Sequence, residues 1–176
     1  HISFVFQRTR LFNTTILENI TYGKPQATKE EIEYAIDMTQ SREIINRLPN
    51  GLQTIIGNEG TYLSGGEQQR IVLARAVLKN ASIVVFDEAT AFTDPENEYL
   101  IQKALKKLTI GKTVLMIAHR LSSVVSADNI IVLSEGKIIE SGTHQRLIKS
   151  QGTYANMWHE YQQSVKWTLL KEGKND

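Results

Sequence analysis

The chain has 176 residues, 20 Lys and Arg against 19 Asp and Glu, a formal net charge of +1 and 41% hydrophobic residues. That length falls in the usual span of about 100 to 200 residues per domain, with enough apolar material for one core, and excludes disordered, collagen-like and coiled-coil chains. The near-neutral charge gives no field for nucleic acid, the absence of Cys excludes a disulfide scaffold and a thiolate metal site or nucleophile, and the longest apolar runs fall far short of the roughly 20 residues that cross a bilayer.

The chain opens in a β-like run, Ile2 to Phe6, with no Met and no secretory leader, as expected of a piece cut from a longer polypeptide. A polar loop, Gln7 to Arg10, leads to a short apolar turn region at Leu11, Phe12, Ile16, Leu17 and Ile20, and Tyr22-Gly23-Lys24-Pro25 interrupts the pattern. Thr28-Lys29-Glu30-Glu31 fits a capping box. With Ile32, Ala35, Ile36, Ile45 and Leu48 mostly on one stripe, it predicts a single amphipathic helix from Lys29 to Leu48. Leu52 to Leu63, carrying Gly57 and Gly60, reads as an exposed loop. A second, largely buried helix is expected from near Gly66 to Lys79, with Arg70 and Arg75 on its more polar side.

Ser82 to Asp87 is a continuous apolar run that stops at a carboxylate, as a buried parallel strand does. Asp94-Pro95 has a cap residue and a Pro in the first helical position, opening a helix to Leu108. Thr113 to Ala118 reads as another buried strand. Asn129 to Leu133 and Lys137 to Glu140 flank Ser134-Glu135-Gly136 as a hairpin, Thr143 caps a short helix to Lys149, and a last helix follows Gly152. Strands alternate with helices in the second half while the first half is mostly helical. The order predicts an α/β core with a helical subdomain inserted: 8–80 helical, 81–151 α/β core and 152–176 a C-terminal helix.

Three places carry chemistry. In Leu63-Ser64-Gly65-Gly66-Glu67-Gln68-Gln69-Arg70, at a helix start, two glycines admit an anion to the backbone N–H groups, and Ser64 adds a hydroxyl. Ser64 and Glu67 also read as a plain S-x-x-E capping box. Asp87-Glu88 ends an apolar strand, where α/β sheets bind ligands. One carboxylate there can hold Mg²⁺ while its neighbour orients a water; a solvated loop start is the bland alternative. His119 follows the next strand and can reach the same crevice, or is an ordinary half-buried histidine. Phosphate cradle, acidic pair and histidine in one domain match the parts needed for nucleotide hydrolysis.

LSGGEQQR resembles the signature motif of ABC-transporter nucleotide-binding domains, IVVFDEAT resembles their Walker B strand and the glutamate after it, and IAHR resembles their switch-histidine segment. All three stand in the family's order. The similarity runs over nearly the whole chain, from Gln7, which resembles the Q-loop glutamine, through LFNTTILENITYG, which is similar to exporters, to EGKIIESGTHQRL. The resemblance implies an α/β, partial RecA-like ABC ATPase core with an inserted α-helical subdomain, working with ATP and Mg²⁺ in an exporter. By it, Asp87 coordinates Mg²⁺, Glu88 polarises the attacking water, His119 contacts the γ-phosphate and Gln7 links Mg²⁺ to the transport domain. Ser64, Gly65 and Gly66, with Glu67 in the same ATP-binding set, meet the γ-phosphate of an ATP held mainly by the opposite subunit, and Asp94 stands at the D-loop aspartate position across the dimer interface. The implied partners are a second nucleotide-binding domain, head to tail, and transmembrane domains, with no nucleic acid; the implied location is the cytoplasmic face of the membrane.

Two departures stand out. The D-loop usually reads close to SALD, and here it is Ala91-Phe92-Thr93-Asp94. A phosphate loop, G-x-x-x-x-G-K-[ST], is missing: Gly111-Lys112-Thr113 ends the right way, but Lys106 stands where the first Gly belongs and a strand follows instead of a helix. Truncation ahead of His1 accounts for this, and the fragment alone is expected to bind ATP weakly and hydrolyse it negligibly. A soluble ABC-type ATPase without a transport role is the alternative, disfavoured by LFNTTILENITYG. A noncatalytic module is a third, disfavoured by Glu88 and His119.

Overall fold

The computed structural model describes residues 1–6, 10–57, 61–87, 95–118 and 121–172. A parallel sheet is built in the order β1 (Ile2–Val5), β2 (Ile83–Asp87), β3 (Thr113–Ile117), with Val5 opposite Phe86 and Phe86 opposite Met116. Parallel neighbours need a crossover. Between β1 and β2 it is the helical insertion: α1 (Ile16–Thr21), α2 (Lys29–Met38), α3 (Arg42–Arg47) and α4 (Gly65–Lys79). Between β2 and β3 it is α5 (Pro95–Leu108).

Local sequence sets the helix starts. Thr15 with Glu18, Thr28 with Glu31 and Ser64 with Glu67 each form a reciprocal capping box, so α1, α2 and α4 begin with two main-chain donors satisfied. The expected turn region after Leu11 is therefore a helix from Ile16 onward. The single helix expected from Lys29 to Leu48 is two, because Gln40 takes a left-handed φ of 55°. The Thr39 hydroxyl donates to the Ala35 carbonyl and lies 2.8 Å from the Ser41 hydroxyl at this corner. Arg42, the first residue of α3, then latches back onto α2 through Glu33 at 2.6 Å and Asp37 at 2.7 Å.

Residues 52–63 are not simply an exposed loop. A short 3-10 turn at Gly51–Gln53 and bridges from Thr15 to Ile55 and from Ile56 to Thr61 pin the segment, and Thr54, Ile56 and Leu63 are buried. The bridge partner Thr15 is the cap of α1, which explains why an irregular stretch is held in place.

α4 is the spine of the unit. Ile71, Leu73 and Ala74 are fully buried, and the core gathers Ile16 and Ile20 of α1, Ile36 of α2, Ile44 of α3, Val84 and Phe86 of β2 and Ile101 of α5. Its arginines do not form a solvated face. Arg70 is buried and donates to the Gln40 carbonyl at 3.1 Å. Arg75 donates to the Asn19 carbonyl at 2.7 Å and to its side-chain oxygen at 2.9 Å, beneath the rings of Phe12 and Tyr22. α4 ends at Asn80, which takes a left-handed φ of 46°, and β2 starts at Ile83.

The sheet is apolar on both faces but covered on one. Val5, Val84 and Phe86 point into the core; Ile2, Phe4, Phe6, Leu115 and Ile117 are exposed, with the Phe4 and Phe6 rings stacked 5.6 Å apart. β3, expected as a buried strand, is exposed along its length, so the covered face is that of β1 and β2, and no layer of the described residues buries either face of this edge strand.

The chain divides into two compact units, residues 1–117 and 118–176; within the first, β1 pairs with β2 and α4 packs on β1. In the second unit, β4 (Ile130–Ser134) and β5 (Lys137–Gly142) form the expected hairpin, turning through Glu135 and Gly136 at φ values of 49° and 74°. Thr143 caps α6 (His144–Lys149), and α7 (Thr153–Glu172) follows. Glu140 accepts the N–H groups of Thr153 and Tyr154 at 2.5 and 3.2 Å. A Cβ at Gly152 would stand 2.5 Å from the Glu140 carboxylate, so a larger residue there would displace Glu140 from these N–H groups. Ile130, Leu147 and Tyr154 form this unit's own core, and the Tyr154 hydroxyl lies 2.8 Å from His144 Nδ1.

Candidate functional site

The first turn of α4 presents Ser64 and Gly65 to solvent while Gly66 and Glu67 are buried. The Ser64 hydroxyl accepts the Glu67 N–H at 3.3 Å, and Glu67 Oε2 accepts the Ser64 N–H at 2.8 Å. Ser64 Oγ therefore keeps its proton for an outside acceptor. Among the described residues no acceptor takes the N–H groups of Gly65 and Gly66. Two open donors, a hydroxyl and the positive end of a 15-residue helix form a surface complementary to a phosphate oxygen. A Cβ built on Gly65 meets nothing within 4 Å, so the approach is open.

Nothing local to the capping box signals how Glu67 is held. Its other oxygen, Oε1, pairs with Arg47 at the end of α3, 20 residues back in the chain. Burial pushes the Glu67 carboxyl up, but the Ser64 N–H and the Arg47 guanidinium outweigh it and hold it below the ordinary carboxylate range. Arg47 carries no local signal, because its partner is set by the packing of α3 on α4.

Asp87 is the last residue of β2, half-buried, opposite Ile117 in the sheet. The strands β1, β2 and β3 run parallel and end side by side at Val5, Asp87 and Ile117. In sequence, Gln7 stands two positions after the first end, Glu88 one after the second and His119 two after the third. Gln7, Glu88, Asp94 and His119 themselves lie outside the described residues. As a hard oxygen donor with no cationic side chain paired to it among the described residues, Asp87 fits a Mg²⁺ ion that takes one carboxylate plus waters and phosphate oxygens. Among the described residues no cluster of three or more metal-ligating side chains is found, and no hydrogen bond or ion pair joins Asp87 to the Ser64–Glu67 group.

Gly111-Lys112 is no phosphate loop. It precedes β3, so it sits at the amino edge of the sheet, away from Asp87, and Gly111 serves a turn at φ 69°. Lys112 lines a cavity of about 980 Å³ with Tyr34, Lys79 and Lys107, where burial pushes its ammonium down. No helix among the described residues is long and apolar enough to cross a membrane.

The chain is 49% identical over 154 residues to the ATP-dependent lipid A-core flippase of Chromohalobacter salexigens, covering 88% of this chain and 27% of that protein. It is 48% identical over 157 residues to the mycobactin import ATP-binding/permease protein IrtA of Mycolicibacterium smegmatis, covering 89% and 18%. Among solved structures, a bacterial Atm1-family ABC exporter with ATP bound superposes with a TM-score of 0.80 at 40% identity, over 90% of this chain and 28% of that one. The chain thus spans about a quarter of the length of the curated relatives it matches, and the mixed α/β arrangement is that of part of an ABC ATPase domain. Residues 1–91, more than half the chain, match the ABC transporter family model, and the chain belongs to that family.

Proposed function

We propose that this chain supplies the signature and Walker B portion of the ATPase domain of a membrane exporter, at the cytoplasmic face, coupling ATP hydrolysis to movement of transmembrane domains. The first turn of α4 supports this most directly: an exposed Ser64 hydroxyl and two open N–H groups on a long helix, followed in the chain by a strand that ends in Asp87. Ser64, Gly65 and Gly66 meet the γ-phosphate of an ATP bound chiefly by a second nucleotide-binding domain in a head-to-tail dimer, with Glu67 holding their geometry and Asp94 at the dimer interface. Asp87, with Gln7, would hold Mg²⁺, which would supply positive charge to offset that of the phosphates.

Glu88 takes a proton from the water that attacks the γ-phosphorus in line. The bond from phosphorus to the β,γ-bridging oxygen breaks, leaving ADP and inorganic phosphate, while His119 donates a hydrogen bond to the γ-phosphate. The residues present supply no Walker A grip, so the chain alone turns over negligibly. The transported substrate is selected elsewhere in the protein. The relatives' names include both a flippase and an importer, and export is favoured by the ATP-bound exporter as structural neighbour.

Glu88→Gln in the intact protein tests the reading. ATP binding persists while steady-state hydrolysis falls by about 100-fold or more, the scale of a lost general base. Unchanged turnover removes Glu88 from that role.

A further inference from the structure

We infer that Arg47 is a positioning residue for the signature turn: its pairing with Glu67 fixes the carboxylate that holds Ser64 and neutralises a negative charge lying one helical turn behind the phosphate. Arg47 has this role only if the first turn of α4 receives a phosphate, as proposed above.

Three capping boxes in the same molecule set the comparison. In α1, Glu18 accepts the Thr15 N–H at 3.3 Å and has no cationic partner among the described residues. In α2, Glu31 accepts the Thr28 N–H at 3.0 Å and pairs with Lys24 of the same local turn. In α4, Glu67 accepts the Ser64 N–H at 2.8 Å, and its cation comes from a different helix. Among the described residues, only in this last box does the carboxylate itself pair with a cation on another helix. Its carboxylate is also the most enclosed: the Glu67 side chain is 11% exposed, against 63% for Arg47.

The arginine is itself held in register. Ile44 and Ile45 of α3 are buried, and the corner ahead of α3 is fastened to α4 where Arg70 donates to the Gln40 carbonyl. α3 is thus attached to α4 at both ends, by Arg70 at its start and Arg47 at its finish. A capping box needs no arginine to satisfy its donors. A carboxylate beneath an anion site does gain from a cation, since like charges repel and the Glu67 side chain, 11% exposed, is poorly screened by water. Arg47 meets that need without entering the site.

The test uses the intact, membrane-reconstituted protein, with ATP as the probe. Arg47→Ala raises the KM for ATP about tenfold and changes kcat less than about twofold, because binding across the dimer is weakened and the attacking water is untouched. Arg47→Lys keeps the charge and restores most of the affinity. Adding Glu67→Gln to Arg47→Ala returns KM to within about twofold of the parent, since an amide oxygen still accepts the Ser64 N–H and carries no charge to neutralise. Arg47→Gln serves as a second neutral variant with the longer side chain and behaves as Arg47→Ala. An unchanged KM in both neutral variants, or a raised KM that Glu67→Gln does not recover, overturns the inference. A parent protein that does not hydrolyse ATP at all instead overturns the function proposed above.

Discussion

Gly65 opens α4, yet no packing within the described residues calls for a glycine there. Alanine is the better helix former by roughly 0.5–1 kcal/mol. Gly65→Ala is therefore expected to leave urea unfolding of the chain unchanged or to raise its stability by up to about 1 kcal/mol, while ATP turnover of the intact protein falls about tenfold or more as a methyl fills the phosphate's approach. Lost stability with full turnover would show that the glycine serves the fold instead. Ser64 and Glu67 were legible in the sequence because a capping box is written within four consecutive positions. Arg47 was not, since its pairing depends on how two helices pack. Arg70 and Arg75 do not face solvent as a polar side would for a related reason: each finds a carbonyl of a neighbouring segment, Gln40 and Asn19, which offsets part of the cost of drawing a guanidinium inward, although Arg70 Nε stays buried without a partner among the described residues.

The α2–α3 corner turns on one residue. Gln40 sits at a φ of 55°, a conformation costing a non-glycine residue roughly 1–2 kcal/mol. Gln40→Gly is expected to raise the chain's stability by about 0.5–1 kcal/mol after the added freedom of the unfolded chain is counted, and Gln40→Val to lower it by more than about 1 kcal/mol, both measured by chemical denaturation. Equal effects of the two substitutions would mean that the left-handed corner does not persist in solution. The apolar stripe from Ile32 to Leu48 concealed this break, because α3 resumes the burial of Ile44 and Ile45 against the same core and neither Gly nor Pro marks the turn. β3 illustrates the opposite limit. An apolar run identifies a strand, but whether another layer covers it is a property of the assembled sheet.

Across the unit formed by residues 1–117, the parallel sheet carries an uncovered apolar face, with Phe4 51% and Leu115 55% exposed. Apolar surface of this kind drives self-association. Phe4→Ser combined with Leu115→Ser should lower the chain's association in sedimentation velocity while shifting unfolding by no more than about 0.5 kcal/mol per site, as for other exposed positions. Undiminished association would place the sticky surface elsewhere. The order of helices and strands was readable from periodicity, as was the sheet edge bearing Asp87; which strands lie side by side was not, because pairing is set by tertiary packing. α4 ties these scales together. At 15 residues it is a rod of about 22 Å, with the signature turn at its tip and, three residues beyond its heel, the strand that delivers Asp87. Only positions 80–82 separate that heel from the strand, so if the tip receives a phosphate from a second domain, as proposed, a displacement there has little slack in which to be lost before it reaches Asp87.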